Sequence, residues 1–250
     1  MNILLKLAFD GSRFHGWQSQ KNASAICDCI TDAIEKTIGR RVVLSGCGRT
    51  DAGVHARVYY ANFKADTSIP LSRLPYALNS RLPEDICVLA AGEAGEAFDS
   101  RFSCVKKEYS YLVYNSKIKN PFYLKRVLFY PFVLDYDRII EALPYFEGTH
   151  DFSSMRTLGS NVKTTVRTMF RVSSSRNGDL IEISLCADGS LYNMARCIVG
   201  TLLYCGVGKI NPSDIADIQE SGERARSGPT LPACGLYLNR VWYADDVNIP

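Results

Sequence analysis

Ten consecutive residues, Gly46-Cys47-Gly48-Arg49-Thr50-Asp51-Ala52-Gly53-Val54-His55, hold a thiol, a guanidinium, a hydroxyl, a carboxylate and an imidazole. Three glycines lie within eight of these positions, so the backbone there can approach a ligand closely or take positive φ. Asp51 follows Thr50 directly and Arg49 by two, a setting in which charge and hydrogen bonding can keep a carboxylate ionised. The same spacing also suits a structural turn in which Asp51 caps a neighbouring group. No Gly-Lys-Ser/Thr follows, and the glycine spacing is not that of a dinucleotide fingerprint, so a phosphate-cradling loop is excluded. Cys47, flanked by glycines, or Asp51 offers a nucleophile to be paired with His55 in a hydrolase, although His55 lies only four residues from Asp51 and no oxyanion-hole motif accompanies them.

A second candidate lies near the C-terminus. Apolar residues Leu191, Met194, Ala195, Ile198 and Leu202 fall along one stripe of a helix expected over 190–205. On that wheel Arg196 sits at about 140° from Leu191, beside Val199 and Leu203 rather than on a polar face. An arginine among apolar neighbours requires a buried partner or a path by which its head reaches water. Asp51 is one such partner; snorkelling is the other solution.

The elements that must carry these groups alternate irregularly. Strands are expected at 3–9, 41–44, 58–63, 86–90 and 107–114, with a helix between Ala23 and Ile38 stopped by Gly39 and a short one around 74–79. Asp135 is positioned to cap a helix that Pro144 ends or kinks. Strands 166–172 and 180–185 flank an Asn177-Gly178 hairpin signal, and 235–243 closes the chain as a strand. An antiparallel hairpin among irregularly alternating elements argues for α+β rather than a doubly wound sheet.

The 250 residues carry 29 Lys+Arg against 26 Asp+Glu, with 46% apolar residues, which excludes a disordered chain. The longest mostly apolar run, 197–208, is short of the ~18–20 residues of a membrane span. The start, with Lys6 and Asp10, leaves no room for a secretory h-region, so nine cysteines without a C-x-x-C pair read as reduced cytosolic thiols. Three histidines and that cysteine spacing give no zinc site. The small net charge hides segregation. Residues 101–130 hold seven bases and one acid, 156–176 five bases and no acid, and 84–100 five acids and no base. Basic runs interleaved with Tyr109, Tyr111, Tyr114 and Tyr123 suit a polyanion whose bases stack on rings; solvated strand faces are the plainer reading.

The segment GRTDAGVHA, residues 48–56, resembles the signature of the TruA-type tRNA pseudouridine synthases. Further blocks resemble the family in order: KLAFDGSRFHGWQSQ (6–20), FDSRFSC (98–104), KKEYSYLVYN (106–115), EGTHDFSSM (147–155), LYNMARCIVG (191–200) and CGLYL (234–238). The resemblance implies that Asp51 is the nucleophile, that Arg49 places RNA and orders the loop, that Tyr109 stacks on the target base, and that Arg196 pairs with Asp51. It further implies an α+β fold of two related halves, 1–104 and 105–250, with antiparallel sheets joined across a central catalytic cleft. The implied activity is isomerisation of uridine to pseudouridine at tRNA positions 38, 39 and 40 in the anticodon arm, by a cytoplasmic homodimer needing no cofactor or metal. A catalytically silent tRNA-binding relative would keep the same blocks. The chain departs from the family pattern at 23–30, 57–60, 188–190 and 229–232, positions that bear on RNA contacts and on which uridines are used.

Overall fold

The computed structural model describes residues 1–244 apart from 22, 158, 160 and 161. The elements in chain order are β1 (Asn2–Phe9), α1 (Ile26–Ile38), β2 (Ser45–Gly46), β3 (His55–Lys64), α2 (Leu74–Asn79), β4 (Ile86–Ala94) and β5 (Cys104–Tyr114). They continue with β6 (Leu128–Phe129), α3 (Tyr136–Ala142), β7 (Gly148–Asp151), β8 (Val166–Asn177), β9 (Leu180–Ala187), α4 (Met194–Gly206), α5 (Ile215–Ser221) and β10 (Leu236–Tyr243). The chain divides into two compact units, Met1–Val105 with Tyr237–Pro250, and Lys106–Leu236.

In the first unit β1 is central, antiparallel to β3 on one side and to β4 on the other. Ile3, Leu4, Leu5 and Leu7 are fully buried, which is why β1 reads as a near-continuous apolar run rather than an alternating one. Helix α1 buries Ile26, Ile30, Ala33 and Ile34 at helical spacing, packs against α2, and stops where Gly39 turns left-handed with φ +73°. The Gly39 N–H closes the last turn on the Glu35 carbonyl at 2.9 Å. Ser45 and Gly46 pair with Asn62 and Ala61 of β3, so the expected strand over 41–44 forms a few residues later, within the glycine-rich loop itself. Asp99 holds that start in place. Its carboxylate accepts Ser45 Oγ at 2.8 Å and the backbone N–H of Arg101 and Phe102 at 2.8 and 3.0 Å. Burial alone would push the Asp99 carboxyl up, but these donors hold it below its ordinary range.

The final strand corrects the expected halves. β10 pairs parallel with β3 through Tyr237↔His55 and Leu238↔Ala56 and so belongs with the first unit, not with residues 105–236. No local pattern encodes a pairing between positions so far apart in sequence.

In the second unit β5 pairs antiparallel with β9, β9 with β8, and β8 with β7, while the two-residue β6 runs parallel to β5. The α+β class therefore holds, with mixed rather than wholly antiparallel pairing. The hairpin signal lands one residue late: Asn177 pairs with Leu180, and Gly178 (φ +58°) and Asp179 form the tip. Asp135 caps α3 as expected, accepting the N–H groups of Asp137 and Arg138 at 3.1 and 3.3 Å. Helix α4 starts at Met194 rather than 190, because Asn193 is left-handed (φ +61°). Nor does α4 bury a single stripe: only Arg196 and Tyr204 within it escape full burial. Arg138 serves its C-terminus, donating Nε to the Cys205 carbonyl at 2.9 Å.

A strap over residues 227–232 lies on α4 at two glycines. A Cβ on Gly228 would meet the backbone of Gly200 and Thr201, and one on Gly200 would meet the Pro229 carbonyl. The Gly228 N–H donates to Thr201 Oγ1 at 2.9 Å. Gly228→Ala should gain about 0.4–1 kcal/mol from the stiffer unfolded chain and lose about 1–3 kcal/mol to overpacking against backbone that cannot yield. The net expectation is a Tm several degrees lower in a calorimetric scan; an unchanged or higher Tm would show that the strap is loose.

Candidate active site

The loop from β2 to β3 is gripped from both sides within the first unit. Below it, the fully buried Tyr59 ring stacks on Trp17 with centroids 4.2 Å apart, and its hydroxyl donates to the Gly48 carbonyl at 2.5 Å. Gly46 runs so close over these rings that a Cβ would overlap the Tyr59 hydroxyl and the Trp17 ring. The Cys47 N–H donates to the Tyr60 carbonyl at 2.8 Å. On the other side stands the turn after β1. A Cβ on Gly11 would overlap the Val54 carbonyl, and one on Gly16, which has φ +90°, the Thr50 carbonyl. Trp17 N–H donates to the Thr50 carbonyl at 3.3 Å and Gly53 N–H to the Phe14 carbonyl at 3.2 Å. Inside the loop, Val54 N–H closes a turn on the Asp51 carbonyl at 3.2 Å. The Asp51 side chain is half-buried, Arg49 is exposed, and Thr50 Oγ1 is buried with no hydrogen-bond partner among the described residues.

These contacts decide against the hydrolase arrangement. Cys47 is fully buried, out of reach of any substrate. His55 is 1% exposed, its ring stacked on Tyr237 with centroids 4.6 Å apart. Its Nδ1 lies 3.1 Å from the Gly11 N–H and 3.2 Å from Asp10 Oδ1. One ring nitrogen cannot both accept from the first and donate to the second. Asp10 Oδ1 already accepts the Ser12 N–H at 2.9 Å and Ser12 Oγ at 2.5 Å, so the assignment in which Nδ1 accepts gives the Gly11 N–H its acceptor without taking a donor from Asp10. His55 thereby ties the turn after β1 to the start of β3.

In the second unit Tyr109 lies on β5 opposite Leu185 of β9 and is half-buried. Two residues on, Tyr111 is fully buried and donates to the Pro232 carbonyl at 2.6 Å. Burial drives the Tyr111 phenol far up and Cys234 adds to this, against a smaller opposing pull from the Arg196 guanidinium. Arg196 is held by protein acceptors that its position on the wheel does not reveal. Nε donates to the Leu231 carbonyl at 2.5 Å and Nη1 to Asn193 Oδ1 at 2.6 Å, while the Leu231 N–H donates back to the Arg196 carbonyl at 3.4 Å. It therefore does not simply snorkel.

Of the four candidate residues, Arg49 and Asp51 share the gripped loop of the first unit, and Tyr109 and Arg196 lie in the second. Sequence reasoning missed Gly11, Gly16, Trp17 and Tyr59 as supports of the loop, and Asn193 and Leu231 as supports of Arg196. The signal for the glycines was present in DGSRFHGW, and for Asn193 in its i, i+3 spacing to Arg196. Among the described residues no group of three or more His, Cys, Asp or Glu is arranged to hold a metal ion, and no helix is long and apolar enough to cross a membrane.

Comparison with known proteins bears on the same blocks. Residues 7–103 and 142–244 match the family described as tRNA pseudouridine synthase. A protein named tRNA pseudouridine synthase A from a Thermoanaerobacter strain is 42% identical over 242 residues, covering 97% of this chain and 99% of that protein. One of the same name from Acetivibrio thermocellus is 44% identical over 242 residues, with coverages of 97% and 99%. A tRNA pseudouridine synthase A 2 from Clostridium tetani is 41% identical over 244 residues, with coverages of 97% and 98%. With a family match over most of its length and relatives above 40% identity end to end, the chain belongs to the tRNA pseudouridine synthase family.

Proposed function

We propose that this enzyme converts uridine to pseudouridine at positions 38, 39 and 40 in the anticodon arm of tRNA, with Asp51 as nucleophile. The coarser activity, isomerisation of uridine in tRNA, follows from the family. In the reaction the C1′–N1 bond breaks, the uracil turns while bound, C5 joins C1′, and the proton lost from C5 is balanced by one gained at N1. Nothing is oxidised and no group is imported, so the chemistry calls for no cofactor.

What supports the role of Asp51 is the grip on its loop. A nucleophile must meet one carbon at bonding distance, and misplacement by about 1 Å can cost on the order of 10²-fold. A half-buried carboxylate on backbone clamped by Tyr59, Trp17, Gly11 and Gly16 meets that demand. Whether it adds to uracil C6 or attacks C1′, the carboxylate must be ionised, and Arg196 is proposed as its counter-charge. Tyr109 is proposed to support the flipped base. Arg49, exposed beside Asp51, is proposed to place the RNA, with exposed Lys117, Lys119, Lys125 and Arg126 as phosphate contacts. Action as a cytoplasmic homodimer belongs to the same proposal.

Asp51→Asn should abolish turnover while tRNA affinity stays within about a factor of three, because phosphate contacts dominate affinity. Carbodiimide mapping of tRNA after incubation would read both the loss and the positions. Residual turnover above a few per cent, or modification outside 38–40, would overturn the corresponding part. For Arg196, replacement by Met keeps the aliphatic bulk and removes the charge. Single-turnover rates should fall at least ~10²-fold, with the acidic limb of the pH–rate profile displaced to higher pH, since a carboxylate without its cation protonates more easily. A near-normal rate with an unmoved limb would remove Arg196 from the mechanism.

A further inference from the structure

The residues around Arg196 form a chain of hydrogen bonds leading away from its guanidinium. Asn193 Oδ1 accepts Arg196 Nη1 at 2.6 Å, and Asn193 Nδ2 donates to Thr157 Oγ1 at 2.9 Å. Thr157 is itself anchored, its N–H donating to the Tyr192 carbonyl at 3.0 Å. Asn193 holds this place at a conformational cost. It has φ +61°, and outside glycine the described residues show positive φ only at Asn193 and Lys125. Glycine would adopt this backbone more cheaply, and it already stands at the left-handed positions Gly39 and Gly222 that end α1 and α5. At the foot of α4 the strain is tolerated by a residue whose amide bonds a guanidinium on one side and a hydroxyl on the other.

The second arm of the fork is fixed too. Arg196 Nε is taken by the Leu231 carbonyl on the strap that Gly228 and Gly200 press against α4. With Nε and Nη1 both directed, the plane of the guanidinium is set, because the group is rigid and planar. We infer that Asn193, oriented by Thr157, is a positioning residue for the isomerisation: it aims the Arg196 guanidinium rather than touching substrate. This rests on the reading of Arg196 as a catalytic group.

The test is a set of single-turnover measurements on full-length protein with tRNA substrate. Asn193→Gly keeps the left-handed backbone and deletes the amide. The expected result is an unchanged or raised Tm, a rate lower by about tenfold and an unchanged KM, the mark of lost orientation rather than lost binding. Thr157→Val should give a smaller loss, about threefold, and Thr157→Ser, which restores the hydroxyl, should recover the wild-type rate. In the Arg196→Met background Asn193→Gly should have no further effect, since residues acting through one group are not additive. If Asn193→Gly and Thr157→Val react at the wild-type rate while Arg196→Met is impaired, the positioning role is wrong and the role of Arg196 stands. A fully additive double variant also overturns it. If Arg196→Met itself is unimpaired, the reading of Arg196 fails, and the positioning role fails with it.

Discussion

The loop that carries Asp51 depends on backbone approaching backbone and ring more closely than any side chain permits. Gly46 lies on Trp17 and Tyr59, Gly11 against the Val54 carbonyl, and Gly16 against the Thr50 carbonyl. On the role proposed for Asp51, each contact removes a degree of freedom that a mobile loop would otherwise have to lose at the moment of reaction. The ordering entropy, on the order of 1–2 kcal/mol per residue, is then met during folding rather than in the transition state. The core of the first unit makes this possible. β1 is buried on both faces, and its exit at Asp10-Gly11 delivers the clamping turn directly beside the start of β3, where His55 bonds the Gly11 N–H.

The second unit solves a different problem, that of holding a cation in an apolar helix. An arginine desolvated without partners would cost several kcal/mol, and on α4 nearly every other residue is buried. The Asn193 amide and the Leu231 carbonyl meet that cost and direct the group at the same time. The strap that supplies Leu231 is itself seated by the Gly200–Gly228 contact, by Ser227 Oγ donating to the Ser154 carbonyl and by the Gly228 N–H donating to Thr201 Oγ1. Packing around α4 and the direction of its one charged side chain are thus a single arrangement.

Charge is distributed differently from these rigid parts. Lys117, Lys119, Lys125 and Arg126 lie exposed between β5 and the first residues of β6, and Arg101 and Lys119 stand over the Phe102 and Phe129 rings. Long cationic side chains at the surface can follow a phosphate backbone without a fixed geometry, and such contacts set affinity and its salt dependence. The chemistry, by contrast, needs fixed geometry.

Much of this was legible without coordinates because it is local. Period and punctuation locate α1 with its Gly39 stop, α2, the Asp135 cap and the β8–β9 hairpin, and nine consecutive residues mark the loop with Asp51. The errors were local as well: a strand displaced from 41–44 to 45–46, a hairpin tip moved by one residue, and α4 begun four residues early because nothing in a hydrophobic stripe reports that Asn193 is left-handed. What the sequence could not supply is what joins distant positions. That β10 runs beside β3, that Gly11 and Gly16 exist to admit residues 50–54, and that Leu231 and Thr157 serve Arg196 directly or through Asn193 depend on which surfaces meet. Residue types constrain their own backbone through sterics over a few bonds. Pairings across tens or hundreds of residues are chosen by the packing of the whole core, and only the tertiary structure records that choice.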